Sequence, residues 1–134
     1  MPEQKTAYVA AIGRRKTASA RVRLTPAGTS AITVNGMPAQ DYFKTKERSS
    51  ITLDALNLEE VTGTFEVSVK VQGGGLTAQA EAVRMGIARA LTKTQDTLRK
   101  PLKAAGYLKR DPRSVERKKP GLLKARKRPS WSKR

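Results

Sequence analysis

TFEVSVKVQGGGLTAQAEAVRMGIARAL, residues 64–91, decides the fold. In its first part Phe65, Val67, Val69 and Val71 fall on one side and Glu66, Ser68, Lys70 and Gln72 on the other. That period of two belongs to a strand with one packed face. Gly73-Gly74-Gly75 ends the strand. Leu76, Ala80, Val83, Ile87 and Leu91 then recur at spacings of 4, 3, 4 and 4, the single apolar stripe of a packed helix.

Upstream, Thr6 to Ile12 is a short apolar run that reads as a strand, followed by Gly13-Arg14-Arg15-Lys16 as a basic turn. Ala18, Val22 and Leu24 alternate with Ser19, Arg21 and Arg23, so this strand has a packed face and a basic one. Thr25-Pro26-Ala27-Gly28 signals a turn. Ile32 and Val34 give a third strand, closed by the hairpin signal Asn35-Gly36. These strands are expected to form an antiparallel meander. Between Met37 and Leu58 the patterning predicts two short helices, one near Tyr42 and Phe43, one around Ile51 to Leu58. A last helix covers about Asp96 to Ala105, with Pro101 forcing a kink or restart and Gly106 at C′. Residues 1–106 therefore read as one α+β body, a mostly antiparallel sheet with helices packed on one face.

From Tyr107 the composition changes. Residues 107–134 hold twelve Lys and Arg against Asp111 and Glu116, a net +10 of the chain's +17. Leu108, Val115, Leu122, Leu123 and Trp131 follow no helical or strand period, and Pro112, Pro120 and Pro129 interrupt any long helix. Such a segment cannot bury enough apolar surface to offset its ordering entropy. It is expected to be an extended basic tail, ordered only on a polyanion. Gly121 and the prolines divide it into pieces of defined geometry, which a merely solubilising appendage does not need. The lone Trp131 suits stacking on a base or packing in a groove. RNA is favoured over DNA because a long irregular tail suits the crevices of folded RNA.

The chain has 134 residues, no Cys and no His, and a pI near 10.9. Disulfides and Cys-based metal sites are excluded, and the commonest general base is missing. The charge favours a nucleic-acid partner, with a membrane surface as the rival polyanion. No apolar run approaches the ~20 residues that span a bilayer. MPEQKTAYVAAIGRRK lacks a signal peptide's apolar region, so the expected location is the cytoplasm. Asp41, Glu47, Asp54, Glu59, Glu60, Glu66 and Glu81 are scattered, form no recognisable catalytic pair and have no His to act with; no enzyme and no cofactor are expected.

Two further features bear on binding. Gly73 to Ala78 formally matches the dinucleotide fingerprint G-x-G-x-x-[GA], with Asp96 about twenty residues on. That reading is rejected: the acidic partner should end a second parallel strand, whereas Asp96 follows a helix. Gly73, Gly74 and Gly75 are then either a tight turn or a place where bare backbone N–H groups and a helix N-terminus meet a polynucleotide phosphate. The cluster Arg14, Arg15 and Lys16 with Arg21 and Arg23 exceeds what solubility needs and is read as phosphate-binding. The same reasoning nominates Arg110, Arg113, Arg117, Lys118, Lys119, Lys124, Arg126, Lys127 and Arg128 of the tail.

GRRKTASARV at 13–22, the triple Gly at 73–75, Arg89-Ala90-Leu91, DPRSVERKK at 111–119 and the ending Ser132-Lys133-Arg134 together resemble the bacterial family of small-subunit ribosomal protein nine. The motifs span nearly the whole chain in the family's order. The resemblance implies a structural constituent of the small ribosomal subunit. Its body is bound to small-subunit rRNA on the subunit head, beside neighbouring ribosomal proteins. It implies a fold like the second domain of small-subunit protein five, with a left-handed βαβ crossover against the usual rule. It also implies a tail threaded through rRNA, whose tip, Ser132, Lys133 and Arg134, touches peptidyl-site tRNA. The alternative is a free-standing nucleic-acid chaperone or histone-like protein. Where the family resembles S-G-Q-A-G-A after the triple Gly, this chain has Thr77-Ala78-Gln79-Ala80-Glu81-Ala82. Glu81, expected in the first helical turn, suits the helix dipole but repels phosphate.

Overall fold

The structure is a computed structural model of the chain and describes residues 8–59, 61, 63–114 and 116–128. Five strands and four helices follow in the order β1 Val9–Arg15, β2 Ala18–Pro26, β3 Ala31–Val34, β4 Met37–Pro38, α1 Ala39–Phe43, α2 Lys46–Leu53, β5 Phe65–Gln72, α3 Leu76–Thr94 and α4 Arg99–Ala105. The beginning of the Thr6–Ile12 run and the tail tip lie outside the described residues.

The sheet order is β1-β2-β5-β3-β4. β1 pairs antiparallel with β2, and β2 with β5. The expected meander is corrected here: β5 inserts between β2 and β3, and β3 pairs with β5 in parallel. The hairpin signals see only adjacent segments, and the longer β5, with four buried apolar residues against one in β3, takes the central place beside β2. The sheet remains mostly antiparallel. Asn35-Gly36 makes its hairpin, from β3 to β4, with both residues at positive φ as a tight primed turn requires.

A second correction concerns Gly13, Arg14 and Arg15, which belong to β1 and not to a turn. The turn is Lys16-Thr17, with Lys16 left-handed at φ 52°. Gly13 is a strand residue because α3 crosses β1 there, backbone against backbone. A Cβ on Gly13 would sit 1.8 Å from the Ala82 carbonyl oxygen, and one on Gly86 would sit 2.5 Å from Val22 Cγ2. These two glycines set the depth at which the helix lies.

Burial alternates along β2 and β5, with Ala20, Val22 and Leu24 facing the helices beside Val67, Val69 and Val71. Ala80, Val83, Ile87 and Leu91 of α3 are fully buried against them. Ala82, Met85, Gly86 and Ala90 are buried too, so the helix is covered on more than its stripe. The small residues of this second flank admit β1 on one side, and α2 contacts the helix as well. Downstream, a 3-10 turn at Asp96–Leu98 leads into α4, where Pro101 falls in the first turn and costs no internal hydrogen bond. Gly106, at φ +84°, closes α4.

Candidate nucleic-acid interface

The alternation that builds β1 separates its two arginines. Arg14 points out from the open face of the sheet, while Arg15 points to the helix side, with its side chain 11 % exposed. Arg15 Nε lies 2.6 Å from Glu81 Oε2, its Nη2 lies 3.5 Å from Asp111 Oδ2, and its Nη1 donates to the Arg113 carbonyl. Its donors are thus used within the chain. Glu81 falls in the second turn of α3, not the first, and it is oriented by Arg15.

The same contacts hold the root of the tail on the body. The Tyr107 ring lies under the Arg84 guanidinium, 4.9 Å from Cζ to the centroid, and Arg84 also reaches Asp54 at 3.4 Å. Arg110 Nη2 donates to the Lys16 carbonyl at 3.2 Å. Asp111 Oδ1 accepts from the Arg113 backbone N–H at 2.9 Å, and Arg113 Nη2 lies 2.7 Å from Oδ2. The Arg113 side chain and backbone donors, helped by Arg15, hold the Asp111 carboxyl well below the usual carboxylate range, and Asp111 raises Arg113.

Farther along, Glu116 is paired with Lys119 at 2.7 Å and Arg126 at 3.0 Å, which lower its pKa in that order. Pro120-Gly121 turns the chain back, and Leu123 N–H reaches the Lys127 carbonyl at 2.8 Å. Arg117, Lys118, Lys124, Lys127 and Arg128 are exposed and make no ion pair among the described residues. Trp131, Ser132, Lys133 and Arg134 lie outside them.

Arg21 and Arg23 both stand on the open sheet face, Arg23 over the Tyr8 ring at 4.9 Å. Lys16 is exposed at the tip of the β1–β2 turn. The triple glycine is a tight turn packed on that same turn. Gly73 and Gly74 have positive φ, and a Cβ on Gly73 would stand 2.6 Å from the Thr17 carbonyl oxygen. Gln79, buried, fixes the loop by donating to the Gly73 carbonyl at 3.0 Å and accepting from Tyr42 Oη at 2.8 Å. Gly75 is open to solvent at the N-cap of α3. The end of β1 with its Lys16-Thr17 turn, the glycine turn and the tail root therefore converge at one end of the sheet. At the outer edge of β1, Arg89 and Lys93 of α3 donate to the Ile12 and Ala10 carbonyls at 3.0 and 2.8 Å, covering an otherwise open strand edge.

The sequence reading missed Glu81, Arg84 and Asp111 as residues that hold the tail root; no local pattern joins positions so far apart. It also passed over Lys70, although its outward phase on β5 matches that of Arg21 and Arg23 on β2. Among the described residues there is no group of side chains that could hold a metal ion and no helix long and apolar enough to cross a membrane.

The chain is 52% identical over 123 residues to the small ribosomal subunit protein uS9 of Chlorobium limicola, covering 92% of this chain and 95% of that one. It is 52% identical over 126 residues to the uS9 protein of Gloeothece citriformis, covering 91% and 89%. Against that of a Synechococcus strain it is 49% identical over 123 residues, again 91% and 89%. The family model described as ribosomal protein S9/S16 matches residues 13–134, from the buried glycine of β1 through the whole basic tail, and the chain belongs to that family.

Proposed function

We propose that this protein is a structural constituent of the small ribosomal subunit in the cytoplasm, with no catalysis of its own. It binds small-subunit rRNA in the subunit head and carries its C-terminal tip to peptidyl-site tRNA. The observation that carries this reading is the family match running unbroken through the tail to residue 134. The body, residues 1–106, uses Arg14, Lys16, Arg21 and Arg23 as phosphate anchors, with Arg15 positioning the tail. The tail, 107–134, takes its final path on RNA, through Arg117, Lys118, Lys124, Lys127 and Arg128 and through the more locally engaged Arg110, Arg113, Lys119 and Arg126. Ser132, Lys133 and Arg134 are the tRNA-contacting tip. Neighbouring proteins of the head complete its surroundings.

The body's proposed kinship is with the second domain of small-subunit protein five. The parallel β3–β5 pair, joined through α1 and α2, is the βαβ unit to which the left-handed crossover is assigned. Contacts of this kind are largely to phosphates and therefore salt-dependent. The test is sedimentation of a cell lysate at moderate salt. The protein is expected to travel with the small subunit; recovery at the top of the gradient, or bound to bulk nucleic acid, would favour a free-standing nucleic-acid chaperone instead.

A further inference from the structure

The open face of the sheet sets two like charges directly opposite each other. Arg21 of β2 pairs in antiparallel register with Lys70 of β5, and both side chains are exposed. Cβ atoms in such positions lie about 4.5–5.5 Å apart, and like charges there destabilise the sheet. Neither cation makes an ion pair among the described residues. Glu66, the carboxylate on the open side of the described strands, stands at the far end of β5, opposite Thr25.

Arg21 borders a hollow of about 620 Å³ on the Tyr8 side, and the pair together lines a polar one of about 470 Å³ on the other. The polar hollow is lined by Ser19, Arg21, Asn35, Lys70, Val71 and Gln72, with no carboxylate. Asn35 gives it a fixed wall: its side chain donates to the Val71 carbonyl at 3.0 Å and accepts from the Val71 N–H at 2.9 Å. Ser19 and Gln72 add neutral hydrogen-bonding groups beside the two cations.

We propose that this hollow is a phosphodiester-binding subsite on the open sheet face, which seats a segment of rRNA backbone between Arg21 and Lys70. The inference rests on the rRNA-binding reading and adds Lys70, a residue outside the arginine-rich motif, to the interface. A bound phosphate neutralises a repulsion that the free protein bears. The cationic surface continues along β2 to Arg23, two residues and about 7 Å from Arg21. That repeat suits a chain of phosphates better than one acidic side chain from a protein neighbour. The lining offers no aromatic platform within the polar hollow, so the contact positions the backbone and reads no base.

The experiment is a salt titration of the full chain binding to transcribed small-subunit head RNA, for wild type, Lys70→Gln, Arg21→Gln and Lys70→Arg. Each Gln variant is expected to lower the slope of log affinity against log salt by roughly 0.7–0.9, and Lys70→Arg to keep the wild-type slope. Thermal melting of the free protein serves as the control: relief of the repulsion in Lys70→Gln should leave Tm unchanged or raise it by about 1–4 °C. A wild-type slope in both Gln variants overturns the proposal, as does an unchanged slope accompanied by lost binding of an acidic protein neighbour. A wild-type chain that shows no salt-dependent binding to head RNA overturns the rRNA-binding reading itself, and the subsite with it.

Discussion

Arg15 Nε and Glu81 Oε2 lie 2.6 Å apart, joining the end of β1 to the second turn of α3 across sixty-six positions of sequence. This pair changes the meaning of both residues. Arg15 sits in a run of three cations, yet it faces the helix and not solvent. Glu81 is an acid beside a cationic cluster, and its charge is directed to Arg15. Because Arg15 also holds Asp111 and the Arg113 carbonyl, the pair fixes where the tail leaves the body.

Glu81→Gln should therefore loosen the tail root without unfolding the body. The pair is partly buried and Gln keeps an acceptor for Arg15, so global stability should fall by about 1–2 kcal/mol. Amide exchange at Tyr107 to Arg113 in the free protein should accelerate in the variant, while exchange in β2 and β5 stays as in wild type. Equal protection of 107–113 in both proteins would show that Arg15 and Asp111 suffice alone.

The latch should also be insensitive to pH across the physiological range. Asp111 has a depressed folded-state pKa, so its contribution is complete above the unfolded value of roughly 3.9 and is lost only as pH falls below that, toward the folded value. Protection of 107–113 is expected to be flat from pH 5 to 8 and to decline in stronger acid. Asp111→Asn should reduce that acid dependence. A midpoint near neutrality would assign the transition to another group.

Gly13→Ala should destabilise the body by about 1–3 kcal/mol through overpacking, because a Cβ there would collide with the Ala82 carbonyl and the Gly86 backbone N of α3. Those are backbone atoms, and they cannot turn aside as a flexible side chain does. Gly28→Ala, where a Cβ meets open space, is the matched control. Urea unfolding of the free protein measures both, and equal midpoints would mean that α3 shifts at little cost.

The three cations of the first motif should behave differently from one another. Arg14→Ala and Lys16→Ala should each lower the salt slope of rRNA binding by roughly 0.7–0.9 with stability little changed. Arg15→Ala should chiefly lower stability and protection of the tail root, since it leaves Glu81 without its partner and Asp111 with Arg113 alone. Paired salt titrations and melts distinguish these outcomes.

Deleting Ser132, Lys133 and Arg134 should leave subunit assembly intact and weaken peptidyl-site tRNA binding by about 1–2 kcal/mol, since salt screening reduces the strength of charge-assisted hydrogen bonds. With the root held to Arg113, the 21 residues of 114–134 can reach at most roughly 75 Å when extended. Arg134→Glu should do more harm than the deletion, because it adds a repulsive charge. Equal tRNA affinity of wild-type, deleted and Arg134→Glu subunits at two salt concentrations would leave the tail as an rRNA anchor alone.

Sequence by itself determined the elements whose causes are local. The alternation from Phe65 to Gln72, the stripe from Leu76 to Leu91, the Asn35-Gly36 hairpin and the Gly106 cap follow from backbone preferences and the periodicity of burial. It also located the charge, which is a property of composition, and the motifs that place the chain in its family. Tertiary structure decided what depends on segments far apart. It placed β5 between β2 and β3, because strand order is a choice among long-range pairings that no local period records. It separated Arg14 from Arg15, because a helix covers only one face of β1. It set Arg21 against Lys70, and it gave Glu81 to Arg15, because register and packing alone determine which charges meet.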